Sequence, residues 1–348
     1  MSQPSSLRKL LLPLVPAYRL ALLLRELRLS TGLEQVNRLR IPVISVGNLS
    51  TGGAGKTPFT IALTQALQRR GIRVDVLSRG YGRSGQSPAR VNPDGTAEDF
   101  GDEPLLIARQ TGVPVYVARQ RFGAGQLAEA ESPPDDIQRN LPAVHILDDG
   151  FQHRQLHRDV DILLLDSHDW HTDCLLPAGN LREPTQAAGR ATVIAIPAGD
   201  HATELEAVLR TWGWSGAIWR LHRKMDVSGP QGEENGSALA FCGIARPAQF
   251  FAGLEGAGQH LAARIAFPDH HRFTPADLKR LVAAAEQTGA GALITTEKDR
   301  IRLGNLASSF RNSLPLKTAG LRIEIEHEDQ AINWLVEQLK SAQDHPPL

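Results

Sequence analysis

The amino-acid sequence predicts an α/β protein of two unequal parts, on three observations. After residue 40, short runs of β-branched and aliphatic residues alternate with helical stretches along the chain. One run, Val43–Val46, leads into a glycine-rich turn and then a helix start. A polar stretch without periodicity, residues 226–237 (DVSGPQGEENGS), interrupts the alternation and reads as a linker. The expected organisation is an amino-terminal segment 1–40, a core domain 41–225, the linker, and a smaller α/β domain 238–348.

The bulk numbers suit that division. A chain of 348 residues is enough for two domains at about 150 residues each. Its 41% hydrophobic and 22% charged residues are ordinary for a globular protein. Formal net charge is zero, so no general field draws the chain to nucleic acid. Two cysteines, Cys174 and Cys242, make neither a disulfide framework nor a CxxC zinc pattern. A reducing compartment is the simplest reading.

The amino end differs in character. Residues 1–40 carry a net charge of +5 and many leucines. The longest uncharged run, Leu10–Tyr18, holds Pro13 and Pro16 and is far shorter than the ~20 apolar residues that span a bilayer. Beyond Pro16 the spacing is helical, with Leu20, Leu23, Leu24 and Leu27 on one face and Arg25 and Arg28 away from its centre. A basic amphipathic helix suits an anionic membrane surface. The other reading is a helix that packs these leucines on the protein body.

The first informative stretch is PVISVGNLSTGGAGKTP, Pro42–Pro58. Between strand and helix stand Ser50, Thr51, Gly52, Gly53, Ala54, Gly55, Lys56 and Thr57. The glycines let backbone N–H groups converge on an anion, Lys56 can reach β- and γ-phosphates, and the Thr57 hydroxyl can bind Mg²⁺. The loop pattern GxxxxGK[ST] asks for glycine where Ser50 stands. A phosphate-binding-loop NTPase-like core is therefore expected.

The chain continues with a helix at 58–70 and a strand at 72–77 that runs into SRGYGR, Ser78–Arg83. Arg79 and Arg83 thus follow a strand's carboxyl end, where ligands bind in open α/β sheets, though solvated loop charge is the other reading. Residues 84–100 read as a surface loop. Asp102, in GDEP, is either a helix N-cap or a carboxylate facing the site. A strand at 113–117 precedes Arg119, Arg121 and a helix.

The second informative stretch is PAVHILDDGFQHRQLHR, Pro142–Arg158. A strand ends in Asp148-Asp149, which places a carboxylate to hold Mg²⁺ beside the phosphate loop. His153 and His157 stand four apart, but no third and fourth zinc ligand is evident; His168 and His171 are similarly weak. Further strands are expected at 161–166 and 192–196 and a helix at 203–212, with the polar loop PAGNLREP, Pro177–Pro184, between the two strands. The second part repeats the βα rhythm, with strands at 238–242, 261–267, 292–296 and 321–325 and helices at 247–254, 275–286 and 329–339. Polar groups again gather after strand ends, at Asp269-His270-His271 and Glu297-Lys298-Asp299.

GNLSTGGAGKTP, SRGYGR, GDEP, DDGFQHR, PAGNLREP, GIARP, FPDHHRFT and TTEKD stand here in the order found in the tetraacyldisaccharide 4'-kinases of lipid A biosynthesis. The chain resembles that family over nearly its whole length, and Ser50 is no departure within it. The resemblance implies a kinase at the cytoplasmic face of the inner membrane, touching the bilayer through its amino-terminal helix. It implies transfer of the γ-phosphoryl group of ATP, with Mg²⁺, to the 4'-hydroxyl of tetraacyldisaccharide 1-phosphate, giving the 1,4'-bisphosphorylated lipid IVA. No nucleic acid and no obligate protein partner is implied.

The resemblance also implies roles. Ser50–Thr57 form the ATP loop, with Lys56 on the phosphates and Thr57 on Mg²⁺. Asp148 is a metal carboxylate, Asp149 a second acid at the phosphates, and Glu183 a further magnesium-site acid. Asp102 is the catalytic base, paired with His270 or, as the poorer match, His271. Arg79, Tyr81, Arg121 and Arg182 shape the lipid and phosphate pocket. From another class, a deviant phosphate-loop switch or assembly factor is the alternative. Those proteins usually carry a lysine before the glycine pair, where Thr51 stands here. A cytosolic small-molecule kinase of the same fold is the other alternative.

Overall fold

The computed structural model describes residues 8, 10–132, 142–165, 174–199, 201–211, 213–229, 236–312 and 314–344. Its described strands form one twelve-stranded sheet. In chain order they are β1 (Val43–Asn48), β2 (Arg73–Ser78), β3 (Ala89–Arg90), β4 (Val115–Val117), β5 (Ala143–Asp148) and β6 (Val160–Leu164). Then come β7 (Val193–Pro197), β8 (Ala217–Ser228), β9 (Ala238–Cys242), β10 (Leu261–Ala266), β11 (Ala292–Thr296) and β12 (Leu316–Ile325). Across the sheet the order is β10-β9-β11-β12-β8-β7-β6-β1-β5-β2-β4-β3.

Every neighbouring pair is parallel except β8 with β12 and β3 with β4. The parallel strands of the first part are buried along their length because helices cover both faces. The helix Lys56–Arg69 lies over one face with Phe59, Leu63 and Leu67 inward. β1 sits between β5 and β6, so the strand order reverses there and a crevice opens beyond its carboxyl end. The phosphate loop leaves β1 at that point.

Residues 84–100, expected as a loop, carry β3 and a short helix, Ala97–Phe100, capped by Thr96, and two further differences bear on the site. β8 was not expected, and Asp226–Ser228, placed in a linker, are its last residues. Residues 230–235 of the same expectation lie outside the described residues. The strand joins the two parts of the chain in one sheet, in register from Thr318↔Ser228 to Ile325↔Leu221. Its outer half alternates charge with charge, which hides a strand signal. Lys224 bonds Glu324 at 2.7 Å, and Arg322 faces Asp226 at 3.7 Å. The second difference is a short helix, Glu297–Leu303, where only a strand-end polar cluster was expected. The Thr296 hydroxyl caps it by accepting from the Asp299 N–H.

The amino-terminal helix is Val15–Ser30. Val15, Tyr18 and Leu22 turn toward the protein, against a cluster that includes Leu175, Leu181 and Phe151. Tyr18 Oη donates to the Arg182 carbonyl at 2.8 Å, and Arg25 bonds the Gln152 carbonyl. Leu20, Leu23, Leu24 and Leu27 face outward, each between 53% and 60% exposed. Among the described residues, no helix is long and apolar enough to cross a membrane.

Candidate active site

The phosphate loop takes its shape from left-handed backbone. Gly52 (φ 86°) and Gly55 (φ 82°) turn the chain so that the helix begins at Lys56, two residues before Pro58. Lys56 Nζ donates to Asn48 Oδ1 at 2.8 Å and lies 3.5 Å from Asp149. Ser50 is buried and accepts from Asn48 Nδ2 at 3.1 Å. It also bridges to Leu181 in an isolated pair. A side chain is useful at this position because the loop is stitched to PAGNLREP, with Thr51 N–H donating to the Asn180 carbonyl at 2.7 Å. On the other side the carboxy-terminal part closes over the loop. A Cβ on Gly52 would meet Ala245 at 2.8 Å, and one on Gly53 would meet the Arg246 side chain at 2.8 Å. Ala245 and Arg246 belong to GIARP. Ala54 and Thr57 are buried beneath the loop.

Asp148 and Asp149 differ as the end of a strand makes them differ. Asp148 is the last residue of β5, is 1% exposed, and accepts from the Thr60 hydroxyl at 3.0 Å. Burial pushes its carboxyl above the ordinary range, and the charges of Glu103 and Asp149 add to that. Asp149 takes a left-handed turn (φ 51°) into a ring of cations. Burial alone would raise it, but Lys56, Arg182 and Arg121 outweigh burial and bring it to about 2. Arg182 holds both its oxygens, at 2.9 and 3.0 Å.

A divalent cation fits this donor set. Asp148 is a buried carboxylate among carboxylates, and a cation would relieve the repulsion that raises it. Asp148, which faces the cleft, is the carboxylate that would hold it. Glu183, also buried, is engaged by Arg190 at 2.8 Å and by Gln152 at 3.4 Å, so its Oε2 is already occupied. Among the described residues no group of three or more His, Cys, Asp and Glu is arranged for a metal. His153 is partly buried, and burial holds it down at about 4. His168 and His171 lie outside the described residues.

Asp102 is 4% exposed at the start of the helix Asp102–Thr111. His270 Nδ1 stands 3.6 Å from its Oδ2. His271 points elsewhere: it stacks on Phe267 and reaches Asp277 at 3.1 Å. Asp102 would be raised by burial, but the contact with His270 and the charges of Arg302 and Lys298 reverse this, so its carboxyl sits well below the usual range. His270 is raised, first through its contact with Asp102. Tyr81 lies against the His270 ring, centroids 5.1 Å apart.

His270 and Tyr81 open onto a cleft of about 810 Å³, whose wall runs from Tyr18 and Leu22 past Thr51–Gly53, Lys56 and Asp149 to His270, while Asp102 is buried beside His270. Arg79, Tyr81, Asp148, Arg182 and Glu183 also face it. Beyond Asp149 and Arg182 a second cleft, about 650 Å³, carries Arg79, Arg119, Arg121 and Arg182. Burial lowers Arg121 to about 10, which leaves it a cation at neutral pH. Of the predicted site residues, Thr51–Gly53, Lys56, Arg79, Tyr81, Asp148, Asp149, Arg182, Glu183 and His270 line one crevice, Arg121 lies in the adjoining basic cleft, and Ser50, Ala54, Gly55, Thr57 and Asp102 do not line the crevice wall. Sequence reasoning missed Asn48, Gln152, Arg190 and Arg302, and gave Lys298 no role beyond a polar cluster after a strand. Lys298 and Arg302 carried a signal, since their i,i+4 spacing after TTE puts two cations on one helix face.

A phosphate loop at the head of a parallel sheet, a metal-ready carboxylate and an ionised aspartate in the same crevice define an ATP-dependent phosphotransferase. The tetraacyldisaccharide-1-P 4'-kinase family matches residues 7–340, and the chain belongs to that family. It is 37% identical to the tetraacyldisaccharide 4'-kinase of Koribacter versatilis over 95% of this chain and 99% of that one. It is 40% identical to the tetraacyldisaccharide 4'-kinase of Geobacter metallireducens over 84% and 87%. The fold is similar to LpxK from Aquifex aeolicus, solved in complex with ATP, with a TM-score of 0.72 and 30% identity over 96% of this chain and 99% of that chain. The switch reading finds no support among these relatives.

Proposed function

We propose that the chain transfers the γ-phosphoryl group of ATP to the 4'-hydroxyl of tetraacyldisaccharide 1-phosphate, working from the cytoplasmic face of the inner membrane. The observation that carries the reading is a single cleft that begins at an outward-leucine helix and ends at a phosphate loop beside an ionised carboxylate. Loop N–H groups and Lys56 hold the β- and γ-phosphates. Mg²⁺, held by Asp148 and Thr57 with Glu183 nearby, would neutralise charge on those phosphates. Asp149 fixes Lys56 and Arg182 in place. Arg79, Tyr81, Arg121 and Arg182 receive the sugar and its phosphate.

Asp102 takes the 4'-hydroxyl proton as the new P–O bond forms and the bond to the β-phosphate oxygen breaks, leaving ADP. A loose phosphoryl-transfer transition state asks little of a base, which suits a carboxylate held below the ordinary range. His270 orients Asp102 and takes the proton onward. Asp102 and His270 come from different parts of the chain, so closing them on the acceptor would restrain idle hydrolysis of ATP.

The helix explains how the acceptor is reached. Four acyl chains keep it in the bilayer, so the enzyme lays its outer leucines into the interface while arginines meet anionic headgroups. The test is ATP-dependent phosphate transfer to tetraacyldisaccharide 1-phosphate in detergent micelles. Transfer is the expected result, and no transfer by folded, ATP-binding protein refutes the reading. Replacing Leu23 and Leu24 together by Glu should weaken binding to anionic vesicles by roughly tenfold or more, read by flotation, because each half-exposed leucine contributes about 1 kcal/mol on insertion.

A further inference from the structure

TTEKD and GIARP are the two motifs that the catalytic reading leaves without work. Both converge on one guanidinium. Arg302, 7% exposed, sits one turn beyond Lys298 on the helix Glu297–Leu303. Its Nε donates to Asp102 Oδ2 at 2.7 Å, and its Nη2 contacts the same oxygen. Its Nη1 donates to Asp299 Oδ1 at 2.9 Å and to the Gly243 carbonyl at 2.6 Å. Asp299 is fully buried and is held in turn by the Gly243 N–H at 3.0 Å and the Thr296 hydroxyl at 2.7 Å. The guanidinium plane is therefore fixed by the carboxy-terminal part and presented to a carboxylate of the amino-terminal part. Lys298 repeats the arrangement one residue along, donating to Glu103 at 2.5 Å.

Arg302 also meets His270. Its Nη2 lies 3.1 Å from His270 Nδ1, closer than that nitrogen is to Asp102 at 3.6 Å. Arginine only donates. In this geometry His270 Nδ1 is an acceptor, so the ring is neutral with its proton on Nε2. A protonated ring would have to give up Arg302 and turn its N–H to Asp102.

We propose that Arg302 is the positioning residue of the Asp102–His270 pair: its fork sets the orientation of the Asp102 carboxylate and keeps His270 neutral and accepting. The proposal rests on the reading of Asp102 as the base. It gives the two acids of GDEP their partners and explains why a weak base is aimed rather than strengthened. The charged groups facing Asp102 are Arg302, Lys298 and His270, and those facing His270 are Asp102, Arg302 and Asp269. Of these, Arg302 is the cation that opposes protonation of His270.

The test compares wild type with Arg302→Lys and Arg302→Gln by pH–rate profile and by NMR titration of His270. Removing the cation should raise His270, because its opposition to protonation is lost while Asp102 remains. For Arg302→Gln we expect kcat lower by about 10²-fold, an unchanged KM for ATP, and an acid limb moved upward by about a unit. Arg302→Lys keeps the charge and loses the fork, so it should lower kcat by roughly tenfold with the acid limb unmoved. An unshifted His270 in Arg302→Gln, or a wild-type kcat in Arg302→Lys, overturns the proposal. If Arg302→Gln fails to fold, the lysine variant decides alone. Failure of the base reading shows separately, as retained transfer by Asp102→Asn, and the His270 titration still decides the clamp.

Discussion

The molecule contains two aspartate–histidine pairs at almost the same separation, and they are electrostatic opposites. Asp75 and His145, paired across β2 and β5, stand 3.5 Å apart inside the sheet. Asp102 and His270 stand 3.6 Å apart at the cleft. In the first pair His145 is fully buried and Asp75 nearly so. Burial pushes Asp75 up to about 6, against Arg73 and Arg90, and holds His145 down at about 3. Both His145 nitrogens and Asp75 Oδ2 lack a hydrogen-bond partner among the described residues. In the second pair the aspartate is lowered and the histidine raised. Separation alone does not set these states; cations beside the carboxylate keep Asp102 ionised, and access to solvent leaves His270 able to take up a proton. Arg302 and Lys298 stand beside Asp102, and His270 is 38% exposed.

The largest expected consequence is catalytic. Asp102→Asn should lower transfer by about 10²–10⁴-fold, while Asp75→Asn should leave it within about twofold, in the same micelle assay. Comparable losses in both variants would erase the distinction. Next comes the state of the two rings. NMR titration from pH 8 to pH 5 should leave His145 unmoved and neutral, whereas His270 takes up its proton above the ordinary histidine value. A titrating His145 would break the comparison.

The smallest effect is on stability. A raised aspartate contributes stability that is complete below its unfolded value and is lost as pH rises through about 6. A lowered histidine acts oppositely, losing stability as pH falls from its unfolded value toward about 3. The two contributions nearly cancel between about pH 4 and 6 in the wild type. Asp75→Asn removes the first and exposes the second. Its urea midpoint, relative to wild type, should therefore climb between pH 4 and pH 7 by the equivalent of about 2–3 kcal/mol. A constant difference would show that Asp75 is not raised.

Much of this was legible in the sequence, for a local reason. The phosphate loop and Asp148-Asp149 are contiguous motifs whose chemistry needs no distant partner to be recognised, whereas the residues of GDEP alone left Asp102 between an N-cap and a site carboxylate. The βα rhythm likewise set most strands within a residue or two. What the sequence concealed depends on contacts across the chain. β8 looks polar because its charges are answered on β12. Arg302 looks like surface charge until Asp102, 200 residues away, is placed against it. His145 looks like one more histidine until β1 and β2 flank it. The choice between His270 and His271 is likewise made by Phe267 and Asp277, which occupy His271.

The most direct test of the central claim is phosphate transfer from ATP to tetraacyldisaccharide 1-phosphate by wild type, Asp102→Asn and Asp75→Asn, side by side and with folding checked. Transfer by wild type and Asp75→Asn, with loss of about 10²-fold or more in Asp102→Asn alone, is the predicted result. Equal transfer by all three would contradict the account by removing the cleft pair from the chemistry.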